Sequence, residues 1–284
     1  MKIALIANRD SGSGDAERVA SLLEDAGAEV VSFAIDEAER AGESGAERIA
    51  VAGGDGSVGC AAEVASRADI PLAVIATGTA NDFASHHGLP GSLEAACAIA
   101  SGGTRTEHVE LAEVCGRPFV NVAAAGLPPA AAEEAHSLKE RLGALAYPIG
   151  AVRVGLRAHP VECAVEVDGE VIHDGLVWQV SVASSGAFGG GASLEGDTRD
   201  GLLDVVVIEH GGRARLIKHA YGLRIGRVEG HRGVVSTRGS AIAMRLDPTE
   251  KLNVDGELVR ARDLDGDGRL SFAAERNGFE LITG

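Results

Sequence analysis

The run Val51–Gly59, VAGGDGSVG, sets four glycines around one carboxylate, Asp55, and one hydroxyl, Ser57. Ordered glycine is costly in conformational entropy, so such a cluster answers to one of two needs. One is a tight strand-to-helix turn; the other is a large anion that must come close to the main chain. The free N–H groups of such a turn, with the N-terminus of a following helix, suit a phosphate. Asp55 would repel a phosphate directly. It reads either as the holder of a Mg²⁺ that bridges phosphates or as a residue that orients a loop. The run is not a Walker loop, because no Gly-Lys-Ser/Thr follows, and the G-x-G-x-x-G dinucleotide fingerprint fails in register. A second stretch, ATGTANDFA (Ala76–Ala84), brings the hydroxyls of Thr77 and Thr79 and the bare backbone of Gly78 to another strand end. Asn81 and Asp82 can brace the neighbouring loop. Two small, polar loops on one sheet edge are hard to explain by packing.

The elements that position these loops follow from periodicity. KIALIAN, EVVSFAI, RIAVAGG and PLAVIAT read as short apolar strands. Between and after them, GDAERVASLLEDAG, VGCAAEVASRA and SLEAACAIASGG have helical spacing. Such alternation predicts a parallel sheet with helices packed on it, whose ligands sit at the carboxyl ends of strands. After Asn121 a helical stretch precedes period-two runs: ECAVEVDGEVIHD, LVWQVSVAS, LLDVVVIE, AIAMRLD and KLNVDGELV. Alternation around Asp-Gly turns is the hairpin signal. The expected architecture is therefore a three-layer α/β domain over residues 1–121 and an antiparallel β-sandwich over 122–273. A short last strand near 274–284, GFELIT, is placed as a return to the first domain.

Composition narrows the class. The chain has 284 residues, 45% of them hydrophobic, and a formal charge of −16. That acidity argues against non-specific nucleic-acid binding. No apolar run approaches the roughly 18 residues of a membrane span, and MKIALIAN reads as a first strand rather than a signal peptide. The expected location is the cytoplasm. Cys60, Cys97, Cys115 and Cys163 form no C-x-x-C pair and read as reduced thiols. From Gly211 to Ser240 the single acid is Glu229, among Arg213, Arg215, Lys218, Arg224, Arg227, Arg232 and Arg238. Such a segment is a solvated face or a docking site for an anionic surface, at about 1 kcal/mol per cation. DLDGDGRLSFAAE (Asp263–Glu275) nearly spells a calcium loop, but its twelfth place is Ala274, so an acidic surface turn is expected. The nine histidines make no H-x-x-x-H pair.

GGDGS followed about twenty residues later by GTANDFA resembles the diacylglycerol kinase catalytic family, especially its soluble bacterial YegS-type lipid kinases. SGSGD from Ser11, SLKERLGALAY, FGGGA, DGLLDVVVI (Asp200–Ile208) and NVDGE extend the resemblance along most of the chain. GGDG alone would be weak, since NAD kinases and phosphofructokinases share it. The resemblance implies an ATP-dependent kinase acting on a lipid hydroxyl, with the nucleotide between an α/β domain and a β-sandwich. It implies nucleotide contacts from Asn8, Ser11, Gly12, Gly53, Gly54, Asp55, Gly56, Ser57, Gly78, Thr79 and Asn81. Glu257 would be the general base, with Asp55 as its catalytic companion. Asp200, with the main-chain oxygens of Asp197 and Leu202, would hold a largely structural Mg²⁺. Asp82 and Glu110 would belong to a supporting polar network. Partners implied are ATP and a lipid at the membrane surface, hence peripheral membrane association; a homodimer is kept as a candidate assembly.

Departures from the pattern are Ser57 for threonine, Ala76 for proline, Ser184 for asparagine and Glu110 for aspartate, and no lysine stands near Ser11–Gly14. VDGE occurs twice, so Glu170 is chemically a twin of Glu257; position relative to the C-terminal strands favours Glu257. Two alternatives stay open: a kinase for a soluble acceptor such as NAD, and a nucleotide-binding regulator without catalysis. Candidate membrane-facing charges are the run Arg213–Arg238 and Lys139, Arg141, Arg153 and Arg157.

Overall fold

Lys2–Ala7 is apolar on both faces, as a strand covered by helices on either side must be. In the computed structural model, which describes residues 1–7, 13–78, 80–130, 159–184, 200–212 and 233–284, this segment is β1. It pairs in parallel with β2 (Glu29–Ala34) and β3 (Arg48–Gly53), and β3 pairs in parallel with β4 (Leu72–Ala76). Ile3, Leu5, Ala50, Ala52 and Ile75 pack against α1 (Ser13–Asp25) and α5 (Leu93–Gly102) through Val19, Leu23, Ala96 and Ala100. The alternate residues Ala4, Ile6, Ile49, Val51 and Val74 face α2 (Glu39–Gly42) and α3 (Asp55–Ala68) through Ala41, Val58, Ala61, Ala62 and Ala65. This is the three-layer α/β domain. Alanine at so many of these positions lets helix and strand approach closely. Ser92 caps α5 as its position suggests, accepting from Ala95 N at 3.3 Å. The strand order β4-β3-β1-β2 reverses between β3 and β1, so the loop after β3 opens at the switch point.

The second half is antiparallel. After β5 (Thr106–Val114) and β6 (Arg117–Phe119), which join through left-handed Cys115 and Gly116, the chain forms β7 (Val122–Gly126), β8 (Val161–Val167) and β9 (Glu170–Ala183). β10 (Leu203–Glu209), β11 (Val234–Gly239), β12 (Ala241–Leu246), β13 (Lys251–Val254), β14 (Glu257–Arg260) and β15 (Arg269–Ile282) follow. Pairing runs β14-β13-β7-β9-β8-β12-β15, with β10 and β11 continuing from β9. Val165, Val177, Val180, Val182, Val205, Val207, Ile242, Met244 and Phe272 fill this β-sandwich's core.

β15 differs from the short final strand expected. One strand of 14 residues pairs with β12 at its start, with β5 along its length and with β4 at Leu281. A register shift between Glu275 and Phe279 lets it serve both halves. The calcium-like run is divided between a one-turn helix (Ala261–Leu264), a turn and the start of β15. Within the turn Asp265 Oδ1 accepts from Asp267 N and Arg269 N, so its carboxylate closes the turn. All four cysteines are free thiols, and burial pushes Cys163 up to about 12. Among the described residues no helix is long and apolar enough to cross a membrane.

Candidate active site at the carboxyl end of the parallel sheet

Strands β3 and β4 end side by side, and the chains leaving them touch. Thr77 N donates to Gly53 O at 3.0 Å. A Cβ on Gly78 would lie 2.6 Å from Gly54 Cα, and one on Gly53 would lie 2.7 Å from Ser57 Oγ. Gly78 and Gly54 are there because two backbones cross without room for a side chain, whereas Gly53 leaves room for the side chain of Ser57. The helix begins earlier than the apolar spacing suggests, at Asp55, so Gly56 and Ser57 stand in its first turn rather than in a loop. Its N-cap is Gly54, and no side chain makes a capping hydrogen bond to the first N–H groups, which leaves the positive end of α3 without a cap.

Gly56 has a different reason. A Cβ there would lie 2.8 Å from Glu257 Oε1 and 3.2 Å from its Cδ. Glu257 opens β14 after a turn in which Asp255 and Gly256 both have positive φ, the hairpin geometry that Asp-Gly favours. The hairpin thus carries a carboxylate from the second half onto the first turn of α3. Arg117, first residue of β6, donates from Nη2 to Glu257 Oε2. Sequence reasoning missed Arg117; a turn of type Cys-Gly-Arg-Pro carries no sign that its arginine points at a residue 140 positions away.

Asp255 was legible only as a turn residue. Its side chain is buried, and its oxygens accept from Val120 N (2.7 Å), Asn121 N (3.0 Å) and Val122 N (2.9 Å), fixing the start of β7. Burial pushes its carboxyl up to about 7, against the pull of those three N–H groups. Asn121 in turn donates from Nδ2 to Asp55 Oδ1 at 3.0 Å. Asp55 completes the chain, accepting from Phe83 N at 2.9 Å and Asp82 N at 3.2 Å at the start of the short helix α4 (Asp82–His86). The Asp55 carboxylate is bonded as an orienter of the second loop, the second of its two sequence readings. It also helps burial to raise the pKa of Asp82. Asn81 has φ +54° and donates from Nδ2 to Gly78 O at 2.9 Å, holding that loop closed.

The twin turn uses the same device elsewhere. Asp168 and Gly169 repeat the positive φ pair, and Asp168 Oδ1 accepts from Ser240 N, Ser240 Oγ and Ala241 N. Glu170 follows it at the β8–β9 turn, beside β12, whereas Glu257 lies against α3. Neighbours, not chemistry, separate the twins.

Register brings the remaining candidates to the same end of the sheet. Ala183 pairs with Val122 on one side and Asp204 on the other, and Ser184 N donates to Asn121 O at 3.0 Å. Glu110, almost fully buried, accepts from Gly201 N, and Asp200 Oδ1 accepts from Leu202 N at 3.0 Å. Both oxygens of Asp200 are also taken by Arg238. These described residues do not fit direct ligation of a Mg²⁺ by the Asp200 carboxylate, and no cluster of three His, Cys, Asp or Glu able to hold a metal occurs among the described residues. Arg238 is likewise removed from the candidate membrane-facing charges, because its guanidinium is committed to carboxylates. Asn8, Ser11, Gly12, Thr79, Asp197, Lys139, Arg141, Arg153, Arg157 and the run Arg213–Arg232 lie outside the described residues.

Comparison with known proteins agrees with this architecture. Residues 2–114 match the diacylglycerol kinase catalytic domain, and residues 121–264, just over half of the chain, match the YegS C-terminal NAD kinase beta sandwich-like domain. The chain is 28% identical over 216 residues to a diacylglycerol kinase of Bacillus subtilis (strain 168), covering 74% of this chain and 70% of that one. It is 28% identical over 238 residues to a diacylglycerol kinase of Mycobacterium tuberculosis (strain ATCC 25618 / H37Rv), covering 76% of each. A crystal structure titled as a diacylglycerol kinase from Bacillus anthracis str. Sterne shares the fold, with a TM-score of 0.75 over 100% of this chain and 97% of that one at 20% identity. The chain belongs to the diacylglycerol kinase catalytic-domain family, among its YegS-like members.

Proposed function

We propose that this chain is an ATP-dependent lipid kinase that transfers the γ-phosphoryl group to the hydroxyl of a lipid such as diacylglycerol or phosphatidylglycerol. The observation that carries the reading is the Glu257 carboxylate lying over Gly56, on the first turn of the helix that the two glycine-lined strand ends open. The names of the curated relatives support the acceptor class.

In this reading the uncapped end of α3 and the Gly53–Gly54 and Gly78 backbones grip the phosphates. Mg²⁺ arrives with the nucleotide as part of the substrate and offsets charge on its phosphate oxygens. Glu257 accepts the proton of the lipid hydroxyl while the hydroxyl oxygen forms a bond to the γ-phosphorus. The bond from that phosphorus to the leaving ADP oxygen breaks, and Glu257 later gives its proton to solvent. Arg117 holds the carboxylate in place from the far side. Asp55, Asn121 and Asp255 act at a distance from the reacting atoms, locking the two loops and the base-bearing hairpin together. Because the acceptor resides in a membrane, the enzyme works at its surface.

The test is transfer from radiolabelled ATP to a panel of lipids in mixed micelles, with NAD as a soluble arm. Glu257→Gln lowers the rate by about 10²–10⁴ while nucleotide affinity stays near wild type. Glu170→Gln leaves the rate unchanged. Full activity in Glu257→Gln, or labelling of NAD alone, overturns the proposal.

A further inference from the structure

Asp200, Gly201 and Leu202 form the turn that opens β10, with Gly201 at φ +76°. Glu110 takes the N–H of Gly201 and Asp200 takes that of Leu202. Arg238, directly opposite Asp204 in the β10–β11 register, reaches along the strand end to this turn. Its Nη1 and Nη2 lie 2.7 and 3.1 Å from the two oxygens of Asp200, a bidentate fork, and its Nε lies 2.9 Å from Asp204 Oδ1. The Asp204 side chain is only 6% exposed. One planar cation therefore spans two carboxylates, the arrangement for which a guanidinium is built.

That occupancy decides what else can bind. A hard divalent ion seeks carboxylate oxygens whose charge is not already matched. Here a guanidinium sits on both Asp200 oxygens, with Oδ1 accepting from Leu202 N as well, so a metal ion would have to bind beside a fixed positive charge. Without Arg238, Asp204 would be a buried anion with no opposite charge beside it among the described residues, and breaking such a pair is strongly destabilising. Burial already raises the pKa of Asp204, with Arg238 opposing that rise.

We propose that Arg238 is the resident cation of this turn, filling the position for which the sequence resemblance implies a structural Mg²⁺, so that the β-sandwich of this chain holds its shape without a divalent ion. The inference stands independently of the kinase reading, since it concerns the nucleotide-free fold. It is tested by thermal unfolding of the full, nucleotide-free chain in EDTA and in millimolar MgCl2, with ionic strength matched by KCl. Wild type melts at the same temperature in both, and so does Asp200→Asn. Arg238→Met melts lower than wild type in EDTA and recovers part of the loss with MgCl2, because two facing carboxylates are left to a small cation. The proposal is overturned by a saturable rise in the wild-type melting temperature with MgCl2 that Asp200→Asn abolishes. It is equally overturned if Arg238→Met is as stable as wild type in EDTA. Should Arg238→Met fail to fold, the comparison of wild type with Asp200→Asn still decides.

Discussion

Replacing Gly56 by alanine separates the two reasons for glycine at this site. A Cβ at that position would meet Glu257 Oε1 at 2.8 Å, where ordinary contact begins near 3.4 Å, a shortfall of about 0.6 Å. The obstacle is the end of a flexible side chain that is 57% exposed, so Glu257 swings aside and the fold does not strain. Alanine in a helix is favoured over glycine by about 0.5–1 kcal/mol, so stability holds or rises. Catalysis responds in the opposite sense. Displacement of a catalytic group by about 1 Å can lower the rate by about 10²-fold, so a displacement of this size predicts a loss of roughly ten- to a hundredfold in kcat. The assay is phosphoryl transfer from radiolabelled ATP to the accepted lipid, with thermal unfolding measured beside it. Because the effect runs through Glu257, Gly56→Ala placed on Glu257→Gln adds no further loss. Wild-type kcat in Gly56→Ala, or full additivity in the double variant, refutes the reasoning.

Three further outcomes follow from the same geometry. Arg117→Ala lowers kcat by about tenfold through a wandering Glu257, while KM for ATP and the melting temperature barely change, since an exposed ion pair contributes about 0–1 kcal/mol to stability; Arg117→Lys restores part of the rate. Asp255 has a carboxyl raised from 3.8 to about 7, so its proton contributes stability that is fully present below about pH 4 and is lost as pH rises through about 7. The full swing is on the order of 4 kcal/mol at most, and Asp255→Asn, which cannot ionise, removes that share of the pH slope in urea unfolding. Asp168→Ala frays the start of β12 and lowers the melting temperature without altering kcat, because its three hydrogen bonds serve the other hairpin.

What was legible in the sequence was local. Continuous apolar runs in Lys2–Ala7 and Arg48–Gly53 point to buried parallel strands, Ser92 to a helix start, and the Asp-Gly pairs at 168–169 and 255–256 to hairpins. The glycines at 53, 54, 56 and 78 were recognisable as a site, yet the sequence could not say which of them answers to a backbone and which to a side chain. Gly54 and Gly78 make room for each other's backbone, Gly53 makes room for the side chain of Ser57, and Gly56 makes room for Glu257. α3 starts three residues before its apolar spacing does, because Asp55, Gly56 and Ser57 adopt helical geometry without adding to that spacing. The rest depends on register between distant segments. Asp255 looks like any turn aspartate until β13 pairs with β7 and brings it under the N–H groups of residues 120–122. Arg238 looks like one more cation in a basic run until β11 sets it opposite Asp204. β15 hides its length because the polar run from Glu275 to Gly278 resembles a loop, whereas it is the irregularity through which one strand crosses from one half to the other.

The account rests most heavily on the α3 end and the hairpin facing one bound nucleotide. A crystal structure of the full chain with a non-hydrolysable ATP analogue, Mg²⁺ and a short-chain diacylglycerol tests this most directly. The account predicts phosphate oxygens against the main chain of Gly54–Gly56 and Gly78, with the Glu257 carboxylate within hydrogen-bond reach of the lipid hydroxyl. Phosphates bound away from α3, or Glu257 turned from the acceptor with the analogue in place, would contradict it.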